Sequence, residues 1–105
     1  MSKRLIADYL TTGKENAKTA RDLAYMLNCD VRDITQGIEH ERREGQPICA
    51  SCDPEHPGYY LAETADEVNG YCQKLHKRAG EIYKTRQALL KTAENMSSGQ
   101  EAQQA

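Results

Sequence analysis

Tryptophan and phenylalanine are both missing from this chain, and hydrophobic residues make up only 38% of its 105 positions. A core must therefore come from aliphatic side chains and a few tyrosines, which suits one small domain and leaves little apolar surface for another. No stretch is apolar for long enough to cross a bilayer, so no membrane partner is expected. The opening "MSKRLIADYL" meets Asp8 before any continuous apolar run or small-residue cleavage site, and sets the expectation of a cytoplasmic protein. In that compartment Cys29, Cys49, Cys52 and Cys72 are expected as thiols rather than as a disulfide framework. Positive charge is not in excess either. Against 16 Asp and Glu stand 14 Lys and Arg, a net charge of −2, so nucleic-acid binding would have to rest on local pattern. Gly-rich phosphate loops, Gly-x-Ser-x-Gly and His-Glu-x-x-His are all lacking, and neither an enzyme nor a cofactor is expected.

What is present is closely spaced helix punctuation. In "SKRLIADYL" the residues Leu5, Ile6, Tyr9 and Leu10 fall at helical spacing, and Thr11, Thr12 and Gly13 supply the stop. Thr19, with Asp22 three residues on, is a Ser/Thr-x-x-acid cap for a second helix from Ala20 to about Leu27. Its inward face is Ala20, Leu23, Ala24 and Leu27, and the small Ala24 admits a crossing helix. Asn28 tolerates the left-handed conformation that ends helices, and Asp30 with Asp33 repeats the cap. A third helix is expected from Val31 to about Glu44. It would bury Val31, Ile34 and Ile38 and point Arg32, Asp33, Thr35, Gln36, Glu39 and His40 outward, with Gly45 ending it. Pro47 forbids continuation, so "PICA" and "YYLA" around the turn-rich "DPEHPG" predict a short hairpin.

From Glu63 to about Met96 the pattern changes. Val68, Leu75, Ile82, Leu89 and Met96 recur every seven residues, and Cys72, Ala79, Arg86 and Ala93 fill the alternate places of a heptad seam. A 34-residue helix would be about 50 Å long, more than a head of roughly 60 residues can cover. A homodimer joined along Val68, Leu75, Ile82 and Leu89 is the expectation. "SSGQEAQQA", residues 97–105, reads as a disordered tail.

"CASCDPEH" brings Cys49, Cys52 and His56 within eight residues, three potential zinc ligands. A structural zinc site needs a fourth ligand and usually a second paired motif, so no metal is expected there.

The run "TARDLAYMLNCDVRDITQGIEHERREGQPI…GYYLA", residues 19–62, resembles the winged helix-turn-helix family. The likeness is to the head domain of biotin-repressor-like regulators and to short helix-turn-helix proteins of phages and mobile elements. It implies a mainly α, α+β fold whose head, over 1–62, carries a small β-hairpin wing; the long C-terminal helix over 63–96 is expected from the heptad pattern alone. In that family the helix matching Val31 to Glu44 enters the major groove, and the hairpin matching Pro47 to Ala62 touches flanking backbone or minor groove. The implied function is sequence-specific binding of double-stranded DNA in transcription or replication control. A protein-interaction adaptor on the same fold is the alternative. Base contacts are expected from Arg32, Gln36 and His40, which recur every four residues on one outward face, with Thr35 beside them. Phosphate contacts are expected from Lys18, Arg21, Arg42 and Arg43, with Arg32 close by. The chain departs from the family at Glu41, where Leu is common, and in a hairpin that carries Asp53 and Glu55 instead of basic residues.

Overall fold

The computed structural model describes the backbone of residues 4–104 and the side chains of residues 4–98. The fold is mainly helical with a small two-stranded antiparallel sheet, an α+β arrangement. Its helices are α1 (Ala20–Leu27), α2 (Val31–Arg43) and α3 (Ala65–Gln104), and its strands β1 (Ile48–Ser51) and β2 (Gly58–Leu61). Among the described residues no helix is long and apolar enough to cross a membrane.

The helix expected at the N-terminus is a single 3-10 turn, Ile6–Tyr9. It buries Ile6, Ala7 and Leu10 all the same. Thr11, Thr12 and Gly13 stop it before a second helical turn can form, and a second 3-10 turn, Lys14–Asn16, carries the chain toward α1.

The punctuation around α1 and α2 works by hydrogen bonding. Thr19 Oγ1 accepts from the Asp22 N–H at 3.0 Å, and Asp22 Oδ2 accepts from the Thr19 N–H at 3.3 Å, so two orphan donors of the first turn are satisfied reciprocally. Asn28 adopts φ 56° and ψ 55°, and its N–H closes on the Tyr25 carbonyl. At α2 the Asp33 carboxylate accepts from the Asp30 N–H at 3.3 Å. Leu23, Ala24, Ile34 and Ile38 meet between the two helices and join Ile6, Ala7, Leu10 and Ile48 in one core. Val31, expected inside, is 45% exposed. It sits on the first turn of α2, before the part of the helix that the N-terminal turn covers, so the inward stripe begins at Ile34.

That stripe ends on a carboxylate. Glu41 is buried, and its two oxygens accept from the Ile6 N–H at 2.7 Å and the Ala7 N–H at 2.9 Å. The side chain thereby caps the N-terminal turn from another helix and ties the two elements together. Gly37, one turn earlier, lets the turn come close, since a Cβ there would collide with Ile6 Cδ1.

In the hairpin Ile48 pairs with Leu61, Cys49 with Tyr60, Ala50 with Tyr59 and Ser51 with Gly58. The outer edge of β2 is also paired: Lys18 and Tyr59 exchange both backbone hydrogen bonds, at 2.9 and 2.7 Å, and the Leu61 N–H donates to the Thr11 carbonyl at 2.9 Å. The segment between the N-terminal turn and α1 thus lies against β2, and no backbone edge of that strand is left open. Gly58 makes this possible. Its φ is +115°, and a Cβ would run into the Lys18 carbonyl.

The head reaches beyond Ala62: the compact unit extends to Tyr71 and includes the start of α3. The distal unit, from Cys72, is one uninterrupted helix. Helical backbone continues to Gln104 across the stretch expected to be a disordered tail; Ala105 lies outside the described residues.

Candidate nucleic-acid interface

The outward face of α2 follows from the same periodicity that buries Ile34, Ile38 and Glu41. Thr35, Gln36, Glu39, His40 and Arg43 are all exposed and line one shallow open concavity. Arg32 is exposed one turn before it. Among the described residues Arg32, Gln36 and Arg43 make no side-chain hydrogen bond or ion pair, which leaves their donors to solvent or a ligand. Thr35 Oγ1 donates to the Arg32 carbonyl at 3.0 Å, and His40 Nε2 lies 3.7 Å from Glu44 Oε1. The residues expected to read bases are therefore brought together on one accessible face.

The expected phosphate contacts divide. Arg21 and Arg43 are exposed, and Lys18 is half-buried beside β2. Arg42 is turned inward. Its Nε donates to the Ile48 carbonyl at 2.8 Å, one terminal nitrogen to Glu39 Oε1 at 2.9 Å and the other to the Tyr71 hydroxyl at 3.1 Å. The guanidinium also lies over the rings of Tyr59, at 5.8 Å, and Tyr71, at 5.1 Å. It joins α2, both strands and the start of α3, so its expected role as a phosphate ligand is corrected to that of an internal bracket. Arg42→Ala is expected to destabilise the head by about 2–3 kcal/mol, through loss of a charged hydrogen bond and cation–π contacts. Arg42→Lys should recover only part of this, because an ammonium cannot reproduce the planar fork. Urea unfolding midpoints check it, with Arg43→Ala as the surface control expected within about 0.5 kcal/mol of wild type.

The hairpin tip is acidic and self-contained. The Asp53 carboxylate accepts from the Glu55 N–H at 3.0 Å and lies 3.4 Å from Lys14 Nζ. The backbone donor first, and Lys14 with it, hold its pKa below the ordinary carboxylate value. Its contribution to stability is accordingly present at neutral pH and fades as pH falls through that lowered value. On β2, desolvation raises the Tyr60 phenol above its usual value.

The candidate zinc ligands are spread over different environments. Cys49 is in the core opposite Tyr60, Cys52 is exposed beyond β1, and His56 is half-buried in the turn. Among the described residues no group of three or more His, Cys, Asp or Glu is placed to hold a metal ion.

On α3, Val68 is half-buried within the head unit, while Leu75, Ile82 and Leu89 are 37%, 62% and 64% exposed. The seam expected to join two chains is therefore open in the single chain.

No family model, curated protein or solved structure matches this chain.

Proposed function

We propose that the protein is a sequence-specific, double-stranded DNA-binding regulator of winged helix-turn-helix type, working as a homodimer. The observation that carries this reading is the face of α2. Arg32, Gln36 and His40 repeat along it with Thr35 between, exposed on a helix whose opposite side is locked into the core. Arg pairs with guanine and Gln with adenine through two hydrogen bonds each, and a helix of this width enters the major groove. The paired hairpin directly after α2 agrees with the order of elements that the resemblance implies. Residues 1–62 hold 8 Lys and Arg against 10 Asp and Glu, so a single head has few phosphate partners and binds modestly. A dimer restores affinity by presenting two heads to one palindromic site, the α2 helices about 34 Å apart on successive turns. Transcription or replication control in a phage or mobile element is the setting that the family resemblance suggests.

Two classes of substitution test the reading. Arg32→Ala, Gln36→Ala and His40→Ala should each lower discrimination between bases by about 1–3 kcal/mol at one position of the site. Arg21→Ala and Arg43→Ala should weaken binding to all sequences and flatten its salt dependence by roughly one counterion each. Equal losses from both classes on selected and random DNA would refute the assignment of α2. Indifference to both would favour the adaptor.

A further inference from the structure

We propose that the open face of α3 is filled by a second copy of this chain running antiparallel, with the two-fold axis crossing the seam at the level of residue 84. The proposal rests on the homodimer in the preceding reading and gives it a direction. Every residue from Cys72 to Ser98 is exposed, so the seam is wholly uncovered in the single chain. It has one slender column, Cys72, Ala79 and Ala93 with Arg86, and one bulky column, Leu75, Ile82, Leu89 and Met96. The question is which column faces which.

In a parallel pair each residue meets its own copy. Ala79 would face the partner's Ala79 and Ile82 the partner's Ile82, so narrow alanine layers would alternate with broad aliphatic ones and leave gaps at the narrow layers. Arg86 would face the partner's Arg86, two like charges in an apolar layer. In an antiparallel pair the slender column of one helix lies against the bulky column of the other. The register that sets Arg86 beside the partner's Ile82 also sets Cys72 against the partner's Met96, Leu75 against the partner's Ala93 and Ala79 against the partner's Leu89. Each of these layers then holds one large and one small side chain, or in the central layers Ile82 with an arginine whose head reaches solvent. The packing is uniform along the seam.

Charge placement is compatible with a second copy as the occupant. Residues 72–96 carry 6 Lys and Arg against 2 Asp and Glu, yet Lys77, Lys84 and Lys91 recur every seven residues on the side of the helix farthest from the seam. Those three lysines are thus directed away from the other copy, while Arg78 and Glu81 flank the open face beside Ile82 and Leu89. The seam itself keeps only Arg86.

The geometry fixes distances. Cys72 and the partner's Cys72 lie 24 residues apart along the axis, about 36 Å at 1.5 Å per residue. In a parallel pair they would touch. The test uses full-length Cys29→Ser, Cys52→Ser protein without DNA, spin-labelled at Cys72, with the distance read by pulsed electron resonance. A distance near 36 Å is expected, and mild oxidation should leave the unlabelled protein without an interchain disulfide. A second version, with Cys72→Ser and Ala93→Cys added, should give about 27 Å, which guards against an effect of one label. Distances below about 20 Å at both positions, or a disulfide through Cys72, would overturn the antiparallel pair. Sedimentation of wild type as a monomer at tens of micromolar would overturn the pairing itself. Since no DNA is present, failure of the DNA-binding reading leaves these outcomes unaffected.

Discussion

Glu41→Leu is expected to lower the stability of the head by about 1–4 kcal/mol, although leucine is apolar, close in volume and common at the matching place in the family the chain resembles. In this chain the carboxylate is the acceptor for two backbone donors, the Ile6 and Ala7 N–H groups, at 2.7 and 2.9 Å. Removing it leaves both without a partner in a buried place, and each unsatisfied donor costs about 1–3 kcal/mol. The gain from burying a leucine, about 1.5–3 kcal/mol if the fit is good, offsets only part of that loss, because the turn has moved close against Gly37 and fixes the space. Glu41→Gln, which keeps one oxygen acceptor, should fall between the two. Urea unfolding of the three proteins checks the order. A leucine variant as stable as wild type would show that the N-terminal turn does not depend on this cap.

Leu75→Glu together with Ile82→Glu should convert the dimer to a monomer and weaken DNA binding by about 100-fold or more. Both side chains lie on the open seam, at 37% and 62% exposure, so a charge there is tolerated by the single helix and not by a covered interface. Linking two modest heads raises overall affinity by about 10²–10⁴ without any new contact to DNA, and separation forfeits that factor. Sedimentation reads the first effect and a titration at fixed salt the second. Retention of both dimer and affinity would place the interface elsewhere. Loss of the dimer with no loss of affinity would mean that one head suffices.

The parts of this architecture that were legible in the sequence are those decided locally. Thr19 with Asp22, Asn28, and Asp30 with Asp33 mark the ends of α1 and α2 because capping is a matter of three or four neighbouring residues. The hairpin follows from Pro47 and "DPEHPG" for the same reason. The exposed face of α2, with Arg32, Thr35, Gln36 and His40, follows from its period. What was not legible depends on contacts between distant segments. Arg42 reads as a phosphate contact by its charge, yet it flanks the buried stripe, and its long stem carries the guanidinium to Tyr59 and Tyr71. Glu41 falls seven residues after Ile34, on the buried stripe itself. An acid at such a position signals a partner, but nothing nearby in sequence identifies that partner as the backbone of residues 6 and 7. The first helix shortened to a single turn because its spacing describes burial, and a 3-10 turn buries Ile6, Ala7 and Leu10 equally well.

Selection of wild-type protein on a library of random double-stranded DNA at a stated, moderate salt concentration tests the central claim most directly. A two-fold symmetric motif with half-sites one helical turn apart should be enriched, and one base preference in each half-site should be lost when Gln36→Ala is selected in parallel. A folded, dimeric protein that enriches no motif, or one whose motif is unchanged by Arg32→Ala and by Gln36→Ala, would contradict it.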